Sequence, residues 1–357
     1  MSSRLFLSLL ALCLALVSCS MPSQPSGVGQ SNGVREQKMT QLGYTTIQLR
    51  KASNDARYSG KFLVNGKPVD LLIDSGANST DLDSSLAVPL GLRIDGKMKV
   101  VSRGALGRPV TSNVGLGILS AGPVSALPFP FMLAEDDLGQ TATSRYDGQL
   151  GLDALEALGA LIDLRTGAFW VPGRNAPNSQ TERIAPLGVQ NGLGFTTLRL
   201  RPARDLPHLV LESNWNGRLI TWIVDTGAEV SVLSAESARQ MNLATEASSS
   251  RIIDASGDNA PVRSAVLENV FFERLVLSEF QVAVTPLPVV RKNFRDRNGR
   301  VIDGIIGMDF LGSTAALFDA GSRLLYVGDP EQVPQAGPQP TIADRRSPLS
   351  LGLSLAD

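Results

Sequence analysis

Two aspartates with the same surroundings are the residues most able to do chemistry. Asp74 ends the apolar run Leu71-Leu72-Ile73 and is followed by Ser75-Gly76-Ala77; Asp225 ends Trp222-Ile223-Val224 and is followed by Thr226-Gly227-Ala228. A carboxylate at the end of a buried strand is costly unless a neighbour or a reaction makes use of it. Two of them in matching contexts, 151 residues apart (74 and 225), point to carboxylates brought together by the fold. Such a pair cannot readily hold two negative charges, so one member keeps a proton while the other ionises. The ionised member then acts as base toward a shared water, and the protonated one polarises a carbonyl. The glycine after each hydroxyl residue lets the chain turn sharply and carry backbone close to the carboxylate. The hydroxyls of Ser75 and Thr226 are able to donate to a neighbouring loop and lock two such loops face to face.

The elements that must position these loops are duplicated as well. Leu42-Gly43-Tyr44-Thr45-Thr46-Ile47-Gln48-Leu49-Arg50 corresponds to Leu193-Gly194-Phe195-Thr196-Thr197-Leu198-Arg199-Leu200-Arg201, and Asn65-Gly66 to Asn216-Gly217, at the same offset of 151. Further on the offset becomes 156 (147 against 303), where residues 147–155 correspond to 303–311 and residues 160–163 to 316–319. Residues 42–173 and 193–328 are therefore internal copies. Each copy reads mostly as strand. Residues 44–51 alternate, and residues 62–73 read as two strands around Asn-Gly, a dipeptide suited to the positive φ of a tight hairpin turn. Short helices are expected over 86–90 behind the N-cap Asp83, over 235–241 behind the N-cap Ser234, and again over 153–161 and 309–313. Closing strands follow at 168–171 and 324–327.

Bulk properties fit two domains with real cores: 357 residues, 43% hydrophobic, 19% charged. A formal net charge of −1 gives no electrostatic case for nucleic acid. Residues 1–18 read as a signal peptide, with Arg4 ahead of an apolar stretch too short to span a bilayer. The sequence Leu16-Val17-Ser18-Cys19 resembles the bacterial lipobox. That resemblance implies a lipid on Cys19 and, with Ser20 next, a place in the cell envelope on an outer membrane facing the periplasm. Residues 19–41, rich in Ser, Pro, Gln and Gly, then form a lipidated flexible tether. Residues 174–192 are expected to be a linker and residues 329–357 a disordered tail. With Cys13 in the leader and Cys19 acylated, the mature body holds no thiol, which excludes a Cys nucleophile, a disulfide and a thiolate metal site.

The residues around both aspartates resemble the retropepsin-like aspartic proteases. That family's active-site signature is an apolar triplet, Asp, Ser or Thr, Gly, a small residue and a short pattern ending apolar; residues 71–82 fit it throughout, and residues 222–233 depart from it only at the bulky Trp222. Its second mark, two apolar residues and a Gly, is met by Ile305-Ile306-Gly307 and, with a polar Gln149, by Gln149-Leu150-Gly151. The resemblance implies an all-β fold of two retropepsin-like acid-protease lobes packed as an intrachain pseudo-dimer. It implies Asp74 and Asp225 as the catalytic dyad, Ser75 and Thr226 as interlocking hydroxyls, and Gly76, Ala77, Gly227 and Ala228 as the rest of the supporting loops. Flaps that close over a protein or peptide substrate are expected at Gly104 and Gly107 in the first copy and at Gly257 in the second; neither tip holds an aromatic residue. No cofactor and no metal is implied, and the chain would act as a monomer with an internal pseudo-two-fold, assembly of two chains being the alternative.

Other chemistries find less support in the sequence. His208, the only histidine, has no nucleophile motif beside it to make a Ser-His-Asp triad, and residues 296–299 resemble a calcium loop only at its start, so a hairpin turn is expected there. The basic stretch of Arg291, Lys292, Arg295, Arg297 and Arg300 reads as a solvated loop, with contact to anionic headgroups or an acidic substrate as its sharper reading. The expected activity is that of a membrane-tethered aspartic endopeptidase. The rival is a non-catalytic module that keeps the fold to bind peptides or an envelope protein.

Overall fold

A tight hairpin opens the core of each copy. Ser59–Val64 and Lys67–Ile73 pair antiparallel around Asn65-Gly66, with φ of 50° and 78°; Leu209–Trp215 and Arg218–Val224 pair around Asn216-Gly217 at the same two angles. The asparagine tolerates the left-handed region and the glycine is at home in it, so the turn chemistry sets the register of both hairpins. This computed structural model describes residues 35–51, 55–122, 126–134, 146–184, 187, 195–204, 206–328, 349–351 and 354–356.

Beside each hairpin a short strand is threaded in parallel. Gly148–Leu150 lies along Lys67–Ile73, with Ile73 beside Leu150, and Gly304–Ile306 lies along Arg218–Val224, with Val224 beside Ile306. Each of these strands also pairs antiparallel with the strand that follows its aspartate loop, Asp81–Asp83 or Val232–Ser234. Strands flanked on both sides are buried throughout and carry apolar residues on both faces. Gln149 is the polar exception; its backbone N–H donates to the buried Asp81 carboxylate at 3.0 Å, where the second copy has Ile305 opposite Val232.

Among the described residues the strands form three sheets. One sheet belongs to each copy, and a third of six strands is shared, its order symmetric about the central antiparallel pair of Leu161–Asp163 with Leu317–Asp319. The shared sheet makes the two copies lobes of one pseudo-two-fold body. Phe62, Phe169, Phe272, Phe310 and Phe318 are fully buried within the main apolar cluster. Burial of each such ring stabilises the fold by roughly 1.5–3 kcal/mol. Trp222, bulky for its place, is buried too, its Nε1–H donating to Ser213 Oγ at 2.8 Å.

Short helices follow both aspartate loops. Asp83 caps Ser84–Leu86, which runs into Ala87–Leu90, by accepting from Ser85 N; Ser234 caps Ala235–Gln240 by accepting from Ser237 N. The second helices span Leu152–Ala157 and Met308–Ser313, the first stopping short of the expected 161 because Leu161–Asp163 is needed by the shared sheet.

Three segments depart from the sequence expectation. The end of the expected flexible tether is a helix over 35–41 that buries Met39 and brings Arg35 to Asp163 at 3.5 Å. The expected linker contains the helix Gln180–Ile184, docked by Arg183, whose guanidinium donates to Tyr44 Oη at 2.9 Å and Asp319 Oδ1 at 3.2 Å. The expected disordered tail contains two strands, Leu349–Ser350 and Ser354–Ala356, which extend the sheets of different lobes. The signal peptide and Cys19 lie outside the described residues.

Candidate active site

Both aspartates sit at strand ends where backbone bonds fix the chain. Asp74 N donates to Leu150 O at 3.1 Å and Asp225 N to Ile306 O at 3.0 Å, so each threaded strand holds the loop beside it. The loops then turn back on their own carboxylates. Asp74 Oδ1 accepts from Gly76 N (2.8 Å) and Ala77 N (3.0 Å), and Asp225 Oδ1 accepts from Gly227 N (2.8 Å).

The two loops interlock across the pseudo-two-fold. Ser75 N donates to Thr226 Oγ1 (2.9 Å) and Thr226 N to Ser75 Oγ (3.0 Å). Each hydroxyl then donates onward, Ser75 Oγ to Val224 O and Thr226 Oγ1 to Ile73 O, both at 2.9 Å. Gly76 packs directly on the Asp225 carboxyl and Gly227 on that of Asp74; a Cβ at either position would overlap the opposite carboxyl group. Glycine is required here by the closeness of the partner loop, since neither position has positive φ.

Asp74 and Asp225 are fully buried, and the outer oxygen of each, Oδ2, has no protein donor. Each Oδ2 is thus left for a proton or a reacting group, and the two carboxyls lie close enough for each to shift the other's titration. Burial pushes the Asp74 carboxyl well above the usual carboxylate range, and the charge and hydrogen bond of Asp225 push it further. Burial also raises Asp225, to about 6, while the hydrogen bond from Asp74 and the loop N–H groups restrain the rise. Both shifts favour a proton on the pair, the more strongly at Asp74. Ala77 and Ala228 bring no hydroxyl to the carboxylates, which leaves burial less opposed.

A layer beneath the loops was not legible as a site in the sequence. Thr80 Oγ1 donates to Asp153 Oδ1 at 2.7 Å and accepts from Gly151 N at 3.0 Å; in the second copy Ser231 Oγ donates to Asp309 Oδ1 at 2.6 Å and accepts from Gly307 N at 3.0 Å. These bonds tie each loop to the glycine of the threaded strand and to the helix after it. The signal was present: Thr80 and Ser231 share the first repeat offset, Asp153 and Asp309 the second.

Arg57 and His208 also stand at equivalent positions, 151 apart, at the edge of the dyad. Arg57 is 2% exposed and is gripped by Asp55, which also accepts from Tyr146 Oη at 3.0 Å. Burial opposes the Arg57 charge, but the bonds to Asp55 and the charges of Asp55 and Glu229 outweigh it and hold the guanidinium charged. His208 is fully buried, with Nε2 at 2.9 Å from Gly76 O, a contact from the second lobe to the loop of the first. It lies edge-on to Phe294, with ring centroids 4.8 Å apart.

The flap glycines lie at the tips of the Arg93–Gly104/Pro109–Ser120 and Glu246–Ile253/Asn259–Phe272 hairpins. Gly107 N bonds Gly104 O (3.1 Å) and Gly257 N bonds Asp254 O (3.0 Å), with φ of 119° and 80° at Gly107 and Gly257. The tips meet. Asp254 Oδ2 accepts from Leu106 N at 2.8 Å, Arg108 Nη1 donates to Ser256 O at 3.2 Å, and Gly104 packs so closely on Asp254 that a Cβ would overlap its carboxylate. Asp296 closes a hairpin turn by accepting from Asn298 N and Arg300 N, as expected for residues 296–299. The basic stretch is partly committed to ion pairs, Arg291 with Glu236 and Asp303, Arg300 with Asp296 and Glu212. Among the described residues no cluster of three or more metal-ligating side chains occurs.

Two β lobes related by a pseudo-two-fold, each presenting an Asp-Ser/Thr-Gly loop to the other, define an all-β aspartic protease pseudo-dimer. The chain belongs to the aspartyl protease family, whose family model, described as aspartyl protease, matches residues 61–154 and again residues 211–310. Among solved structures the chain is similar to the aspartic proteinase from Irpex lacteus, at 12% identity and a TM-score of 0.48, covering 83% of this chain and 100% of that one. It is similar also to conglutin gamma, a basic 7S globulin from lupine seeds, at 12% identity and a TM-score of 0.42, covering 80% of this chain and 95% of that one. No curated protein matches the chain.

Proposed function

We propose that the chain is an aspartic endopeptidase in which Asp74 and Asp225 of one polypeptide hydrolyse peptide bonds. The single observation that carries this reading is the pair of fully buried carboxyls, each packed on the glycine of the opposite loop and held by reciprocal Ser75–Thr226 bonds. A water placed between them loses a proton to the ionised carboxylate and attacks the scissile carbonyl, whose oxygen accepts a hydrogen bond from the protonated carboxyl. The departing amine then takes a proton from the dyad. The test is cleavage of a diverse peptide pool by the purified protein at mildly acidic to neutral pH, with and without a pepstatin-type inhibitor. Asp74→Asn and Asp225→Asn are each expected to lower the rate about 10²–10⁴-fold, with melting behaviour retained. Near-native activity in either variant would refute the shared dyad, and peptide binding without any cleavage by the unaltered protein would favour the non-catalytic reading.

The second part of the proposal is location. The lipobox-like residues 16–19 support a lipid on Cys19 that tethers the protein to an envelope membrane, on the periplasmic side. No helix among the described residues is long and apolar enough to cross a membrane. Cys19→Ala is expected to move the protein out of the membrane fraction or leave its leader uncut. Unchanged membrane association would point instead to a peripheral contact.

A further inference from the structure

The two strands of the C-terminal segment join both flaps. Leu349–Ser350 runs parallel to the second flap, with Leu349 beside Ile252 and Ser350 beside Ile253, and Leu351 N donates to Ile253 O at 2.8 Å. Ser354–Ala356 runs antiparallel to the first flap, with Ser354 beside Gly104, Leu355 beside Arg103 and Ala356 beside Ser102. The turn bonds of the two tips make Gly104 equivalent to Asp254. Hence Arg103 is equivalent to Ile253 and Ser102 to Ile252, and the tail pairs with corresponding positions on both flaps. Ser350 and Leu355 take one equivalent pair; Leu349 and Ala356 take the other.

Symmetry gives this arrangement its meaning. A single extended chain that crosses a two-fold axis and pairs with the same edge of each half must run parallel to one edge and antiparallel to the other. A strand serving only to cover an exposed sheet edge would satisfy one lobe and have no reason to keep register on the second. A peptide bound between two equivalent flaps has no other choice, because main-chain pairing supplies its affinity and alternate side chains enter pockets. The side chains agree. Leu349 is fully buried and Leu351 is 2% exposed, in an apolar cluster with Ile223, Ala228 and Val230 that surrounds the Asp225 loop. The segment alternates, with leucine at 349, 351, 353 and 355.

We propose that the C-terminal residues 349–351 and 354–356 are a built-in occupant of the peptide groove, lying between the flaps as a substrate would and inhibiting the enzyme until they are displaced. This rests on the endopeptidase reading, and it adds a substrate class: extended peptides with leucine-like residues at alternate positions. The test uses the full chain carrying Leu349→Asp and Leu351→Asp, and a synthetic peptide of residues 347–357. The double variant is expected to cleave an apolar peptide pool at least about tenfold faster than the unaltered chain, and the synthetic peptide to inhibit it competitively. In the same variant carrying Asp225→Asn, fluorescence anisotropy is expected to show the labelled peptide still binding. Equal rates together with no peptide binding would overturn the proposal while leaving the endopeptidase reading intact. Binding without cleavage by any form would sustain the occupant and refute the protease. Should the double variant not fold, the unaltered chain decides through peptide exchange. A saturating pepstatin-type ligand is expected to speed hydrogen exchange at the Leu351 amide, and unchanged protection with that ligand bound would count against the tail as occupant.

Discussion

Ser75 and Thr226 show how much geometry two small side chains hold. Each hydroxyl accepts from the opposite backbone N–H and donates to a carbonyl on the far side of the dyad. Replacing one by alanine leaves a buried N–H and a buried carbonyl unpaired, and each such group costs about 1–3 kcal/mol. Ser75→Ala and Thr226→Ala are therefore expected to lower stability by about 2–4 kcal/mol, read as a shift of the denaturant midpoint. Activity should fall with the loss of loop alignment. Thr226→Ser keeps the hydroxyl and should recover most of both; an alanine variant as stable as the parent would show that the hydroxyls do not lock the loops. These two residues were legible in the sequence because they belong to a short contiguous motif. Thr80, Asp153, Ser231 and Asp309 were not, because each bond joins residues more than 70 positions apart, and only the paired repeat offsets connect them.

Elements built on local signals were read correctly, as were the closing strands 168–171 and 324–327, while three that draw their order from distant partners were not. The Asn-Gly hairpins, the N-caps Asp83 and Ser234 and the helices behind them each follow from a few neighbouring residues. The helices over 35–41 and Gln180–Ile184 and the C-terminal strands draw their order from distant partners, through Asp163, Asp319 and the two flap edges. The meeting of the flap tips belongs with these. Glycines marked both turns, but nothing local in the sequence said that Asp254 of one tip accepts from Leu106 of the other while also holding Ser256 N and Asp258 N. Asp254→Ala removes all these bonds at once. Faster amide exchange is expected at 104–108 and 254–258, together with a higher KM and a smaller change in kcat, since the dyad loops are not touched. Exchange unchanged at 104–108 would mean that the tips are held together by something other than Asp254.

For the whole molecule, the response to pH is set by its buried carboxyls. Asp74, Asp81, Asp153, Asp225, Asp254 and Asp309, with the partly exposed Asp147, all titrate above the ordinary value of 3.8, each first of all because burial penalises the charged form. Asp81 is pushed furthest among those outside the dyad, to about 8. Its place in the first lobe corresponds to Val232 in the second, so the fold accepts an apolar residue there and the carboxyl is most at ease when neutral. Between 3.8 and about 8 the folded chain holds protons that the unfolded chain has released. Stability falls with rising pH wherever the folded state binds more protons, so this contribution is complete below 3.8 and is lost as pH climbs through the folded-state values. Asp55 and Asp296 act in the opposite sense. Burial works against their charge, but Arg57 and Arg300 with backbone N–H groups hold them below 3.8, and their contribution is lost only in stronger acid. The raised groups outnumber the lowered ones, and the melting temperature is expected to be highest near pH 4–5 and to decline toward pH 8. Thermal melts across that range check it, with Asp81→Asn as control: the amide cannot ionise, so its decline should be shallower than the parent's. A melting temperature that rose from pH 5 to pH 8, or an Asp81→Asn curve parallel to the parent's, would show that these carboxyls do not govern the fold's response to acid.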